Sequence, residues 1–209
     1  MNQLTTLSCT AFAEILAAKT SVPGGGGAAA MTGALGIALC SMVGNFTAGK
    51  KKYAAVEEDV RRILAEGEAL RNRLMELVDA DALGFEPLSR AYSIPKDDPT
   101  RAQVMEEATL NACQAPLEIV DCCAKALLLL EEMLEKGSKL LIPDVGCGAL
   151  LCKAAMESAA LSVFVNTGTL KDRETAAKLE QKVDETLRVC LPLADKISAS
   201  VTAYIRKEA

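Results

Sequence analysis

The sequence predicts an all-α fold, an up-and-down bundle of several long, kinked helices forming one domain over residues 1–209. Three observations carry this. Apolar residues recur at alternating steps of four and three over long stretches, the period of a helix with one buried face. No segment shows sustained strand alternation, and only Val163-Phe164-Val165 is locally ambiguous. Half of the residues are hydrophobic but only 3% are aromatic. The core must therefore be built from Ala, Leu, Val, Met and Cys, small groups that suit closely packed helices.

Taken in order, the first helix is expected over Leu4–Ala18. Ser21-Val22-Pro23 and four glycines, Gly24 to Gly27, separate it from a second helix that runs to Gly49. No charged residue occurs in the 29 residues from Ser21 to Gly49, but eight of them are Gly. Gly36, Cys40 and Gly44 repeat at four-residue steps and let another helix approach closely. With no second spanning candidate, this segment reads as a buried core helix rather than a membrane span.

The third helix has the clearest seam: Val56, Val60, Ile63, Gly67, Leu70, Leu74 and Leu77. One further step of four lands on Asp81. A carboxylate on a core-facing stripe is a candidate catalytic group. In the competing reading the helix ends near Asp79 and Asp81 caps the next turn. Gly84 and Pro87 are expected to break the helix, with Tyr92–Lys96 as a loop. Asp98-Pro99 should open a fourth helix, kinked at Pro116 and ended by Gly137. Pro143-Asp144 starts a small-residue helix through Ala160, with Asp144 most simply its N-cap. A last helix carries the seam Ala176, Leu179, Val183, Leu187, Cys190, Ala194, Ile197 and Val201, bent at Pro192.

Composition excludes several chemistries. There is no His, so a Ser-His-Asp triad, a Cys-His pair and an HExxH zinc site are absent. The eight Cys form no CxxC and the N-terminus lacks a signal-peptide pattern, which points to the cytosol, to Cys as small buried hydrophobes and to no metal site. A net charge of −5 with no long basic tract argues against nucleic-acid binding. Gly44 to Lys50 matches GxxxxGK, but Lys51 replaces the Ser or Thr that would hold magnesium and no strand precedes it. The four glycines exceed what a turn needs, and their backbone N–H groups are candidates to hold a ligand.

Several segments together resemble the formiminotransferase-cyclodeaminase C-terminal family. They are Pro23 to Ala30, then Met42-Val43-Gly44-Asn45-Phe46-Thr47-Ala48-Gly49-Lys50-Lys51-Lys52-Tyr53, Asp81 to Phe85, Ala91 to Lys96, Arg101, Ala115-Pro116-Leu117, Asp144-Val145-Gly146, Val165-Asn166 and Lys171-Asp172. Gly27 stands where the family often has Ser, and Phe46 where Leu is more usual. The resemblance implies a helical homodimer acting on tetrahydrofolate one-carbon adducts without a further cofactor. The main reading is a cyclodeaminase that closes 5-formiminotetrahydrofolate to the 5,10-methenyl form and releases ammonia. The alternatives are a methenyltetrahydrofolate cyclohydrolase and a non-catalytic folate-binding or scaffold member. A formiminotransferase is a possible partner.

With no His, Asp81 is expected to be the acid, its pKa raised by burial on the seam. Asp144 is expected to stabilise charge or orient water. Pro23, Gly24, Gly25, Gly26, Gly27, Asn45 and Asn166 are assigned to substrate binding, the glycines and Asn45 at the pterin edge, with Phe85, Tyr53 or Tyr92 as stacking partners. Lys50, Lys51 or Lys96 are assigned to the glutamate carboxylates.

Overall fold

A computed structural model describes residues 3–207. Six α-helices and three short 3-10 turns make up the chain, with no strand among the described residues. The helices are α1 (Cys9–Ala17), α2 (Gly25–Thr47), α3 (Glu57–Ala91), α4 (Arg101–Lys136), α5 (Ile142–Thr167) and α6 (Arg173–Arg206). The four helices α2 to α5 form a ring in which each packs on its chain neighbour and α2 closes onto α5. Helix α6 lies against α5 and α4. The expected up-and-down bundle is therefore present.

The core is dominated by small and aliphatic side chains, with Ala30, Ile37, Cys40, Val43, Leu130 and Met156 fully buried. The closest approach is between α2 and α5. A Cβ on Gly36 would lie 2.9 Å from the Gly148 carbonyl oxygen, and a Cβ on Gly148 would lie 2.8 Å from that of Gly36. Neither position has room for a side chain.

Element boundaries depart from the sequence reading in several places. The first expected helix splits into a 3-10 turn at Leu4–Thr6 and α1, whose N-cap Ser8 accepts from the Ala11 N–H. The Leu4 N–H and Thr5 hydroxyl donate to Asp79, which pins this turn to α3. Gly25 to Gly27 form the first turn of α2 rather than a loop before it. Helix α3 does not break at Gly84 or Pro87 but runs on to Ala91. Leu88 and Ala91 are buried against Ala108 and Ala112 of α4, and this packing outweighs the hydrogen bond that Pro87 cannot make. Asp98 makes a turn to the Thr100 N–H and hydroxyl instead of capping α4, which begins at Arg101. Helix α5 extends to Thr167 and includes the ambiguous Val163–Val165 stretch. It is also a second helix long and apolar enough to span a membrane, so the expectation of a single such segment is corrected.

Candidate functional site

Helix α3 carries its seam past Leu74, Leu77 and Val78 to Asp81, one full turn before Gly84. Asp81 is thus a mid-helix residue, not a cap, and faces the N-terminus of α2. Its carboxylate accepts a hydrogen bond from the Gly27 N–H. Gly26 lies directly against it: a Cβ there would be 2.7 Å from Oδ2 and would overlap Oδ1. The glycine run therefore has a specific use, since α2 starts where a carboxylate must touch its backbone. Burial raises the Asp81 pKa above the usual carboxylate range, and the Gly27 N–H opposes this shift without cancelling it.

Asp81 opens into a cavity of about 610 Å³ at this end of the bundle, bounded by the starts of α2, the middle of α3 and α4, and the last turns of α5. Its volume suits a ligand of folate size. Asp81 is the one ionisable group among its lining residues. Gly24, Gly25 and Gly26 supply backbone, Phe85 an aromatic face, and Pro116 and Leu161 apolar walls. Asn166 donates from Nδ2 to the Ala112 carbonyl at 3.2 Å, which leaves its own side-chain oxygen for a ligand.

Of the residues selected from the sequence, Gly24, Gly25, Gly26, Asp81, Phe85 and Asn166 meet at this cavity. Gly27 and Pro23 lie just behind its wall, where Gly27 holds Asp81 and Pro23 packs on Gly27. The remainder do not come together here. Asn45, Lys50 and Lys51 stand at the far end of α2, about 30 Å away at 1.5 Å per residue. Asp144 is at that far end too. It lies in the first turn of α5, not at its N-cap Leu141, where a carboxylate complements the helix dipole. Lys50 sits over the Phe46 ring, 6.0 Å from its centroid. The Tyr53 hydroxyl accepts from the Lys139 N–H and Tyr92 is exposed, so neither reaches the cavity. Lys96 lies in a separate, smaller groove beyond Phe85 and Ala112.

Four cavity hydroxyls, Ser21, Thr32, Ser158 and Ser162, were not selected from the sequence. Ser158 and Ser162 are one turn apart on α5, and that spacing was the available signal. The GxxxxGK match forms no phosphate loop. Gly49 adopts φ +74° after the end of α2, and its N–H donates to the Glu57 carboxylate. All eight Cys are free thiols, six of them buried, and burial pushes Cys40 and Cys152 up to about 12. No cluster of three or more metal-ligating side chains occurs among the described residues.

Comparison with known proteins identifies the family and the fold. Residues 8–185 match the family described as formiminotransferase-cyclodeaminase. A methenyltetrahydrofolate cyclohydrolase from Methylorubrum extorquens is 37% identical over 93% of this chain and 95% of that protein. A formimidoyltransferase-cyclodeaminase from Sus scrofa is 29% identical over 85% of this chain but only 34% of its own length. The structure superposes on a formiminotetrahydrofolate cyclodeaminase from Thermotoga maritima with a TM-score of 0.83, covering 94% of this chain and 98% of that one, at 26% identity.

Proposed function

Because the chain belongs to the formiminotransferase-cyclodeaminase family, we propose that it closes the one-carbon bridge between N5 and N10 of tetrahydrofolate. In the main reading the substrate is the 5-formimino adduct in its protonated, amidinium form, so that the terminal NH2 needs one further proton to leave as ammonia. N10 attacks the formimino carbon, the C–N bond to the terminal nitrogen breaks, and ammonia leaves the 5,10-methenyl cation. The N10 proton must travel to the departing nitrogen. The observation that carries the proposal is Asp81, the one ionisable side chain on an apolar cavity wall. Its carboxylate accepts the N10 proton and then acts as the acid toward ammonia. Once ionised again, it faces the methenyl cation and stabilises its charge. Burial raises the Asp81 pKa, which makes its carboxyl a better proton acceptor than an ordinary aspartate.

The second reading, addition of water to the methenyl cation to give the 10-formyl form and a proton, uses the same centre. It is favoured by the 37% identity to the cyclohydrolase over nearly its whole length. One assay separates the two: purified protein is offered each substrate while the methenyl absorbance is followed. The band grows with the 5-formimino substrate for the first reading and decays faster than the uncatalysed rate for the second. Folate binding with neither change would establish the non-catalytic member and overturn the proposal.

The same proposal includes a homodimer. Helices α2 and α5 share an outward apolar face in which Leu35 and Phe46 are each 55% exposed, Leu161 66% and Val165 70%. Leu161 and Val165 also line the cavity, so a second copy on this face would cover its open side. Of the most apolar stretches, 56% in α2 and 44% in α5 is buried inside the bundle, which supports α2 as a core helix rather than a membrane span; the proposed enzyme is cytosolic. The proposed reaction moves one carbon and protons and calls for no added cofactor. A formiminotransferase, the activity named beside the cyclodeaminase in the pig relative, is the proposed partner that supplies the 5-formimino substrate.

A further inference from the structure

Helix α3 carries two carboxylates two residues apart, about 200° around its axis. Asp81 lines the cavity and accepts from the Gly27 N–H. Asp79 lies off that face, and both of its oxygens are taken by the N-terminal turn. The Leu4 N–H donates to Oδ1 at 2.6 Å and the Thr5 hydroxyl to Oδ2 at 3.0 Å. The chain from Leu4 to Pro23 is therefore a strap with both ends on α3. It starts at Asp79 and returns beside Asp81, where Pro23 packs on Gly27. Its last residues, Ser21 and Val22, line the cavity.

Between its ends the strap is weakly held. Helix α1 has nine residues, short of the roughly 12–15 at which an isolated helix is even marginal in water. It buries Phe12 alone, with Ala11 and Ile15 half-buried. Leu16 to Ser21 are all exposed. Leu4 and Phe12 join the main core, and Leu7 and Val22 pack against its edge. So few buried contacts put the strap at the low-stability end of the fold, and its order depends on the attachment at its start.

We infer that Asp79 is a positioning residue for substrate binding: it latches the strap, and the latched strap presents Ser21 and Val22 as a wall of the cavity. The identity of the substrate rests on the folate reading of that cavity. When the latch opens, the cavity loses this wall. The fraction of latched molecules then scales the apparent affinity, while saturating substrate holds the strap in place. The latch thus acts on binding and leaves the chemistry at Asp81 unchanged.

The test compares the wild type with Asp79→Ala and Thr5→Val, which remove the latch from either side, and with Thr5→Ser, which keeps the hydroxyl. Expected for Asp79→Ala is a roughly tenfold rise in KM for the tetrahydrofolate adduct that the wild type turns over, with kcat unchanged. Thr5→Val should show a smaller rise and Thr5→Ser none. The double variant should be no worse than Asp79→Ala alone, because both residues serve one latch. Trypsin gives a second readout. Lys19, the first basic residue of the chain, lies in the exposed part of the strap, and cleavage there follows the opened population. Asp79→Ala and Thr5→Val should be cut there several-fold faster than the wild type, and substrate should slow the cut. A merely structural role would lower the active fraction, and so kcat, at unchanged KM; that result would overturn the inference. Wild-type KM in both variants, or wild-type cleavage at Lys19 in both, would also overturn it. Should Asp79→Ala fail to fold, Thr5→Val decides by the same two readouts. A wild type that neither binds nor turns over either adduct would overturn the folate reading instead, and the rate of the Lys19 cut would still judge the latch.

Discussion

The carboxylate of Asp81 occupies the space that a side chain on Gly26 would need. A Cβ at Gly26 would stand 2.7 Å from Asp81 Oδ2 and would overlap the other oxygen. The pair explains why a helix begins with glycines, which are poor helix formers. Helix α2 gives up propensity so that a carboxylate from α3 can reach its first N–H groups.

Gly26→Ala should therefore damage the site without unfolding the chain. Alanine is the better helix former, but its methyl group displaces Asp81 from the Gly27 N–H. A fall in kcat of about a hundredfold or more is expected, with helical content by circular dichroism unchanged. Wild-type turnover in this variant would show that Asp81 does not act from the position described.

Asp81→Asn should abolish turnover and yet stabilise the protein at neutral pH. The folded-state pKa is raised by burial above the ordinary value of 3.8. Between the unfolded and folded values the native chain holds the extra proton, so wild-type stability falls as pH rises through that window. Asn carries no charge to bury. Its melting temperature should exceed the wild type's by about 1–3 °C at pH 7.5, and the gap should close as pH falls toward 3.8. Thermal melts across pH check the sign.

Gly27→Ser is expected to be tolerated and to move the pH profile. A Cβ there meets Pro23 and the Val78 carbonyl at 3.6 Å, ordinary contact, and lies 3.9 Å from Asp81 Oδ2. The added hydroxyl becomes a second donor to the carboxylate and favours its ionised form. The acid limb of the pH–rate profile should shift to lower pH by a fraction of a unit, a change that rates measured from pH 5 to 8 would detect.

Gly36→Ala and Gly148→Ala should each destabilise the α2–α5 crossing by about 1–3 kcal/mol, because each added methyl meets the other helix's backbone. The double variant should cost less than the sum, since the first separation of the helices makes room for the second methyl. Denaturant titration of the four proteins completes the cycle.

Leu35→Glu tests the proposed assembly. Leu35 is exposed on the α2–α5 face, so a charge there should leave the folded monomer intact. Light scattering should report a dimer for the wild type and a monomer for the variant.

Much of this was legible in the residues alone. The seam from Val60 to Leu77 determined a long amphipathic helix and its buried face, and one more step of four located Asp81 on that face. The lack of His determined that proton transfer would fall to a group such as a carboxylate. The glycine run announced a place of close approach. These are properties of local periodicity and residue chemistry, which a sequence carries directly. Tertiary structure decided the rest. Helix α3 continues through Gly84 and Pro87 because Leu88 and Ala91 are buried against α4, a contact between residues distant in sequence. Likewise, the candidate ligands were split between the two ends of α2. Twenty-odd residues of helix place Gly24 and Lys50 far apart, whereas antiparallel packing of α2 on α5 brings Gly24 beside Asn166. Adjacency along a motif is not adjacency in space, and only the packing of the helices could choose which residues share the cavity with Asp81.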